Sequence, residues 1–225
     1  LERFIVIDKR PEDQRRFWGI KLYPPLGYNP WPEDPDEREK VEAIYEFCST
    51  HRIPIITHCD DQGFRGISAK EAWSYTAPSA YKPVLERHPT LTIDFAHYGW
   101  QYNQLQKSAL AMISGLATGT PDSPWFHELV ELMNLYPNVY GDVSFCGCDP
   151  AFYVQLANYI KSLEHDEERE TVLSRTLFGS DFSVNLIKVE SYVSYYRIFE
   201  KSPFGTEEID RFVSVNPMRF LGLGD

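Results

Sequence analysis

Cysteine is scarce in this chain: Cys48, Cys59, Cys146 and Cys148 are the only four in 225 residues. That is too few for the disulfide scaffold of a small secreted domain, and reduced thiols are expected. No apolar run approaches the roughly 18 residues that a membrane helix needs, and the opening LERFIVIDKRP lacks the charged, apolar and small-residue order of a signal peptide. A soluble, cytoplasmic protein is therefore expected. No cluster of Lys and Arg interrupts a formal net charge of -11. Such a balance repels phosphate backbones and anionic headgroups, which argues against nucleic acid or a membrane surface as partner. Internal repeats and low-complexity segments are also missing, and no histidine precedes His51.

What is present is enough apolar material for a core, 43% of the chain, and a length that suits one large α/β domain. FIVID (4–8), GIKLYP (19–24), PIITHC (54–59), LTIDFAH (91–97), NVYGDVSF (138–145) and TLFGSDF (176–182) read as strands. Between them lie helical patterns. Asp34 starts one whose Val41, Ile44, Tyr45 and Cys48 recur at helical spacing; others fall at 69–75, 79–86, QLQKSALAMIS and WFHELVELMN. Asp149 with Pro150 opens a further helix, and VESYVSYYRIFEK, EEIDRFVSV and NPMRFLGLGD close the chain. Strands alternating with helices predict right-handed βαβ units and a parallel sheet.

Three of these strands end in residues that can bind a metal or move a proton: His58, His97 and Asp181. In barrels of parallel strands the active site sits where the C-terminal strand ends converge, so chemistry is expected there. Lys21 shares strand parity with Gly19 and Tyr23; as a carboxylated bridge, a cation for an anionic substrate, or a partner of Asp8 or Asp142, it has more than one reading. Arg65, in the loop DDQGFRG, could clamp a substrate carboxylate or simply be solvated. Asp94 has opposite parity to His97 and is expected to face the helices. Cys59 reads as a core thiol and Cys146 with Cys148 as no zinc knuckle; aromatic residues after the strands, among them Trp31, Trp73, Trp100 and Phe182, could shape a pocket or merely pack.

The ordered series GIKLYP, PIITHC, LTIDFAHYG, NVYGDVS, LFGSDF and NPMRFLGL resembles the amidohydrolase-related family of metal-dependent hydrolases and decarboxylases. The resemblance implies a single (β/α)₈ TIM barrel over 1–225, with the six runs as strands three to eight. By length and strand count, chain is expected to be missing before Leu1 and within 9–18. Unpaired edges would then favour a homo-oligomer. The family pattern implies His58, His97 and Asp181 as ligands of a divalent ion, zinc first, with His97 and Asp181 catalytic and Lys21 and Arg65 on the substrate. A His-x-His pair usual at the end of the first strand is missing. The reading is hydrolysis of a C–O or C–N bond (amide, ester or lactone) in a small anionic molecule. Non-oxidative decarboxylation on the same site, and a non-catalytic binding barrel that has lost its first-strand ligands, stay open.

Overall fold

Short apolar runs alternating with helices give a parallel sheet. In a computed structural model, which describes residues 17–102 and 123–223, the strands are β1 (Ile20–Leu22), β2 (Ile55–Asp60), β3 (Ile93–Trp100), β4 (Val139–Asp142) and β5 (Thr176–Leu177). They pair in the order β1-β2-β3-β4-β5, every pair parallel. FIVID and QLQKSALAMIS lie outside the described residues. NVYGDVSF is a strand only as far as Asp142, because the chain turns when Ser144 donates its N–H to the Asp142 carboxylate over 2.8 Å and continues as a 3₁₀ turn at Cys146–Cys148. TLFGSDF keeps only its first two residues as strand.

The crossovers carry α1 (Pro35–His51), α2 (Ala69–Thr76), α3 (Lys82–Arg87), α4 (Pro124–Leu135), α5 (Pro150–Ser162) and α6 (Asp166–Arg175). Beyond β5 come α7 (Tyr192–Glu200), α8 (Thr206–Asp210), a π-helical turn at Arg211–Val215 and α9 (Asn216–Phe220). Local chemistry sets the starts. The Asp34 carboxylate accepts from the N–H groups of Asp36 and Glu37, and Ser68 with Glu71 forms a capping box. None of these helices is long and apolar enough to cross a membrane.

The two sheet faces have different company. Leu22, Ile55, Cys59, Ile93, Phe95 and Val139 join the main core against the helices, where the Tyr98 ring stacks on Phe126 at 5.4 Å. Burying each such ring contributes roughly 1.5–3 kcal/mol. The opposite face carries a smaller cluster in which Tyr140, Leu177 and Phe220 pack with Ile56. Cys59 is fully buried among the core residues, as its parity predicts.

Strand β3 is interrupted where the site begins. His58 pairs with Ala96, but Asp60 pairs with Trp100, so β3 contributes two more residues than β2 over this stretch. His97, Tyr98 and Gly99 absorb the excess in left-handed conformations, with φ of 68°, 56° and 65°. Only glycine fits the last position: a Cβ there would sit 2.7 Å from the Trp125 carbonyl oxygen. Gly99→Ala is expected to destabilise the fold by about 2–4 kcal/mol, from left-handed strain plus overpacking. Urea denaturation measures this; a midpoint unchanged from wild type would show that the bulge does not depend on the close approach.

Candidate active site

Strand β2 holds His58 and Asp60 on one pleat face, two residues apart, and the bulge in β3 brings His97 to them. His97 Nε2 lies 3.1 Å from His58 Nδ1, and His58 Nε2 lies 3.2 Å from the Asp60 Oδ1. All three residues are buried, and one ligand atom from each falls within 4.8 Å of the others. The Tyr23 ring stacks on His58 at 4.4 Å. Gly63 closes over the pair, since a Cβ at this residue would lie 2.3 Å from the Tyr23 hydroxyl.

The hydrogen-bond network tests whether a cation fits. His97 Nδ1 is 3.0 Å from the Ser144 carbonyl oxygen, which can only accept, so this nitrogen carries the proton and Nε2 offers its lone pair. His58 Nε2 faces two further acceptors, the Asp60 carboxylate and the Gln62 carbonyl oxygen at 3.3 Å. Both ring nitrogens of His58 thus face acceptors, and a neutral imidazole has only one N–H to share between them. Positive charge is needed there, as an extra proton on His58 or as a metal ion. Burial, the neighbouring His58 and the charge of Lys21 hold the His97 imidazole below its ordinary pKa against the pull of Asp60 and Asp142. Burial would raise the Asp60 carboxyl, but the His58 hydrogen bond and the nearby imidazoles outweigh it and keep it below the ordinary range. A neutral imidazole and a carboxylate are the ligand forms a divalent ion requires, and two His with one carboxylate is a recognised catalytic zinc set.

Beneath the trio lies a buried acid pair. The Asp142 Oδ1 accepts from the His97 N–H at 3.1 Å, from the Ser144 N–H and from the Ser144 hydroxyl. Asp94 and Asp142 are both buried and act on each other, and two neighbouring carboxyls in such a place favour one of them keeping a proton. Asp94 therefore does not face the helices, as parity with His97 predicts. It is in register with Lys21, Ile56 and Tyr140 on the inner face, and the left-handed bulge reverses the alternation between it and His97. Burial and the charge of Asp142 push the Asp94 carboxyl well above its ordinary range, whereas the charges of His97 and Lys21, the bond from Ser144 and the neighbouring Asp94 overcome burial and lower Asp142.

A raised carboxyl contributes stability that is complete below the unfolded-state pKa, about 4, and lost as pH rises toward the folded value. Asp94→Asn supplies the same donor without a proton to hold. It is expected to be more stable than wild type at pH ~7, with the difference vanishing toward pH ~3.5. Thermal melts across this range check the sign; parallel pH profiles for the two proteins would refute the shared proton.

The trio opens into a cavity of about 300 Å³ whose lining also includes Lys21, Tyr23, Phe64, Phe145, Asp181, Val184 and Ile187. Of the residues singled out from the sequence, His58, His97, Lys21 and Asp181 meet here. Asp181 adopts a left-handed φ of 52° at this wall and is not in the three-residue cluster. Lys21 makes no ion pair with a described residue, although its charge acts on both Asp94 and Asp142; Asp8 lies outside the described residues. Arg65 lines a different, neighbouring cavity. Sequence reading missed Asp60, Ser144 and Asp142 as a set. The signal for Asp60 was the H-x-D spacing, which puts both side chains on one face if the strand continues past Cys59.

A family model described as Amidohydrolase matches residues 2–223. No curated protein matches the chain. Among solved structures, a probable 2-pyrone-4,6-dicarboxylic acid hydrolase from Acinetobacter baumannii is 14% identical with a TM-score of 0.56, covering 91% of this chain and 64% of its own. The 5-carboxyvanillate decarboxylase from Sphingomonas paucimobilis is 13% identical at a TM-score of 0.52, covering 92% and 59%. An uncharacterized TIM-barrel protein from Bordetella bronchiseptica is 21% identical at 0.52, covering 84% and 51%. The chain thus spans between 51% and 64% of the length of these proteins. At such identities the likeness is one of fold, and it makes this parallel α/β arrangement one of TIM-barrel type. With a match that runs over nearly its whole length, the chain belongs to the amidohydrolase family.

Proposed function

We propose that this site is that of a metal-dependent hydrolase acting on a C–O or C–N bond of a small anionic molecule. The observation that carries this reading is the convergence of His58, Asp60 and His97 at one end of a cavity of about 300 Å³. These three side chains would hold a divalent ion, zinc being the first choice for a two-His, one-carboxylate set. Such an ion, when bound, lowers the pKa of a coordinated water to about 7 and so supplies a nucleophile at neutral pH.

The other residues have separable tasks. Lys21 offers a positive charge to the substrate's anionic group. Asp181, on the same wall system, accepts the proton from the attacking water and returns it to the leaving oxygen or nitrogen. Phe64, Phe145, Val184 and Ile187 cover the apolar body of the substrate and exclude bulk water. Ser144 keeps His97 in one tautomer throughout.

Metal analysis of freshly purified protein, followed by calorimetric titration of the chelated protein with Zn²⁺ and Mn²⁺, tests the reading. One cation per chain is expected, with Asp181→Asn retaining the cation but losing turnover of ester, amide and lactone panels by about 10²–10⁴-fold. Absence of binding together with an inert panel would favour the binding-barrel alternative. The apolar lining around the charged end also suits loss of CO₂ from a desolvated carboxylate. Released CO₂ without incorporation of labelled water would replace hydrolysis by decarboxylation on the same residues.

A further inference from the structure

Tyr23 follows β1 and is fixed from two sides. It precedes the buried residues Pro24 and Pro25, and a residue before proline is kept out of the helical region; its φ is −133° and its ψ 81°. Its ring lies on His58 at 4.4 Å with the planes inclined by 29°. At the far end of the ring the hydroxyl oxygen accepts the Phe64 N–H at 3.2 Å, and Gly63, with a φ of 90°, has no Cβ to push that oxygen away.

A phenol oxygen that accepts one bond still has a hydrogen to donate. Among the described residues this hydrogen meets no acceptor within bonding distance, and Tyr23 lines the cavity that holds the trio. Asp60 and Asp181, on the same lining, act on the hydroxyl electrostatically without bonding it. Lys21, two residues earlier, brings a full positive charge suited to a permanent anion. A neutral donor held in one position suits instead an oxygen that gains its charge only during the reaction.

We propose that Tyr23 is a catalytic residue whose O–H donates to the carbonyl oxygen of the substrate and stabilises the oxyanion formed when water adds. The inference rests on the hydrolytic reading and narrows it: the substrate is an ester, lactone or amide whose carbonyl oxygen reaches Tyr23 while its anionic group lies on Lys21. The water oxygen bonds to the carbonyl carbon, the C=O electron pair moves onto the oxygen facing Tyr23, and one water proton passes to Asp181. The pair then re-forms C=O as the C–O or C–N bond breaks, and the leaving oxygen or nitrogen takes the proton from Asp181. Tyr23 keeps its own proton throughout.

Tyr23→Phe tests this, because it deletes the hydroxyl, keeps the ring on His58 and frees only an exposed N–H that water can satisfy. Calorimetry on the full chain in Zn²⁺-supplemented buffer compares phenylphosphonate, whose tetrahedral oxygens imitate the oxyanion, with benzoate, whose planar carboxylate does not. The variant is expected to bind phenylphosphonate about tenfold or more weakly and benzoate within about twofold of wild type, with Zn²⁺ affinity also within about twofold. On the ester, lactone or amide that wild type turns over, kcat is expected to fall about 10²-fold with KM within about twofold. Equal phosphonate affinity in the two proteins, no phosphonate binding to wild type, or an unchanged kcat would overturn the assignment. Equal losses for phosphonate and benzoate would overturn it as well, since a hydroxyl that only anchors the loop through Phe64 weakens both. Failure of the hydrolytic reading shows separately, as a wild type that binds no cation and turns over nothing, and the phosphonate comparison then decides on Tyr23 alone.

Discussion

His97→Ala is expected to abolish stoichiometric cation binding and to lower turnover by about 10³-fold or more. His97 is the one residue that both joins the trio through Nε2 and is tied to the inner acid pair through its backbone N–H. Removing a partner that only orients a ligand typically weakens metal affinity 10–100-fold. Losing the ligand itself should exceed that, and loss of a positioned proton-handling group adds a factor of about 10²–10⁴. The ring is buried, so circular dichroism must first show that the fold survives. Calorimetry with Zn²⁺ then decides: wild-type affinity in a folded His97→Ala protein would remove His97 from the cation site and with it the proposed mechanism.

Asp142→Ala is expected to have the largest effect on stability. Its Oδ1 serves the His97 N–H, the Ser144 N–H and the Ser144 hydroxyl. Truncation leaves buried donors with nothing to bond, and each such group costs about 1–3 kcal/mol. A total loss of about 3 kcal/mol or more follows, even if part of the network rearranges. Asp142→Asn keeps an acceptor oxygen in place and should cost much less. Denaturant titration of both variants checks this. Equal stabilities for Asp142→Ala and wild type would mean that the network is solvated and does not hold the bulge of β3.

The sequence carried most of the scaffold because its signals are local. Asp34, Ser68 and Asp149 cap the helices that follow them, and the buried stripe of α1 includes Val41, Tyr45 and Cys48 as helical spacing requires. Lys21 and Tyr23, two residues apart, both reach the first cavity. Strand ends were less legible. β4 stops at Asp142 and β5 at Leu177, because turn bonds and a left-handed residue replace pairing in stretches whose composition still favours strand.

By itself, the sequence determined the alternation of parallel strands with helices and the placing of His58 and His97 in the C-terminal halves of their strands, since apolar periodicity and capping act within a few residues. Tertiary structure alone decided which acid joins those histidines and which way Asp94 points. Side-chain parity holds only while the pleat is uninterrupted, and His97 and Tyr98 take a left-handed backbone that their own chemistry disfavours. That conformation is held from outside the strand, by the Asp142 carboxylate on the His97 N–H and by the close approach of Gly99 to Trp125. Contacts between residues some 25 to 45 positions apart leave no mark in any short stretch of the sequence.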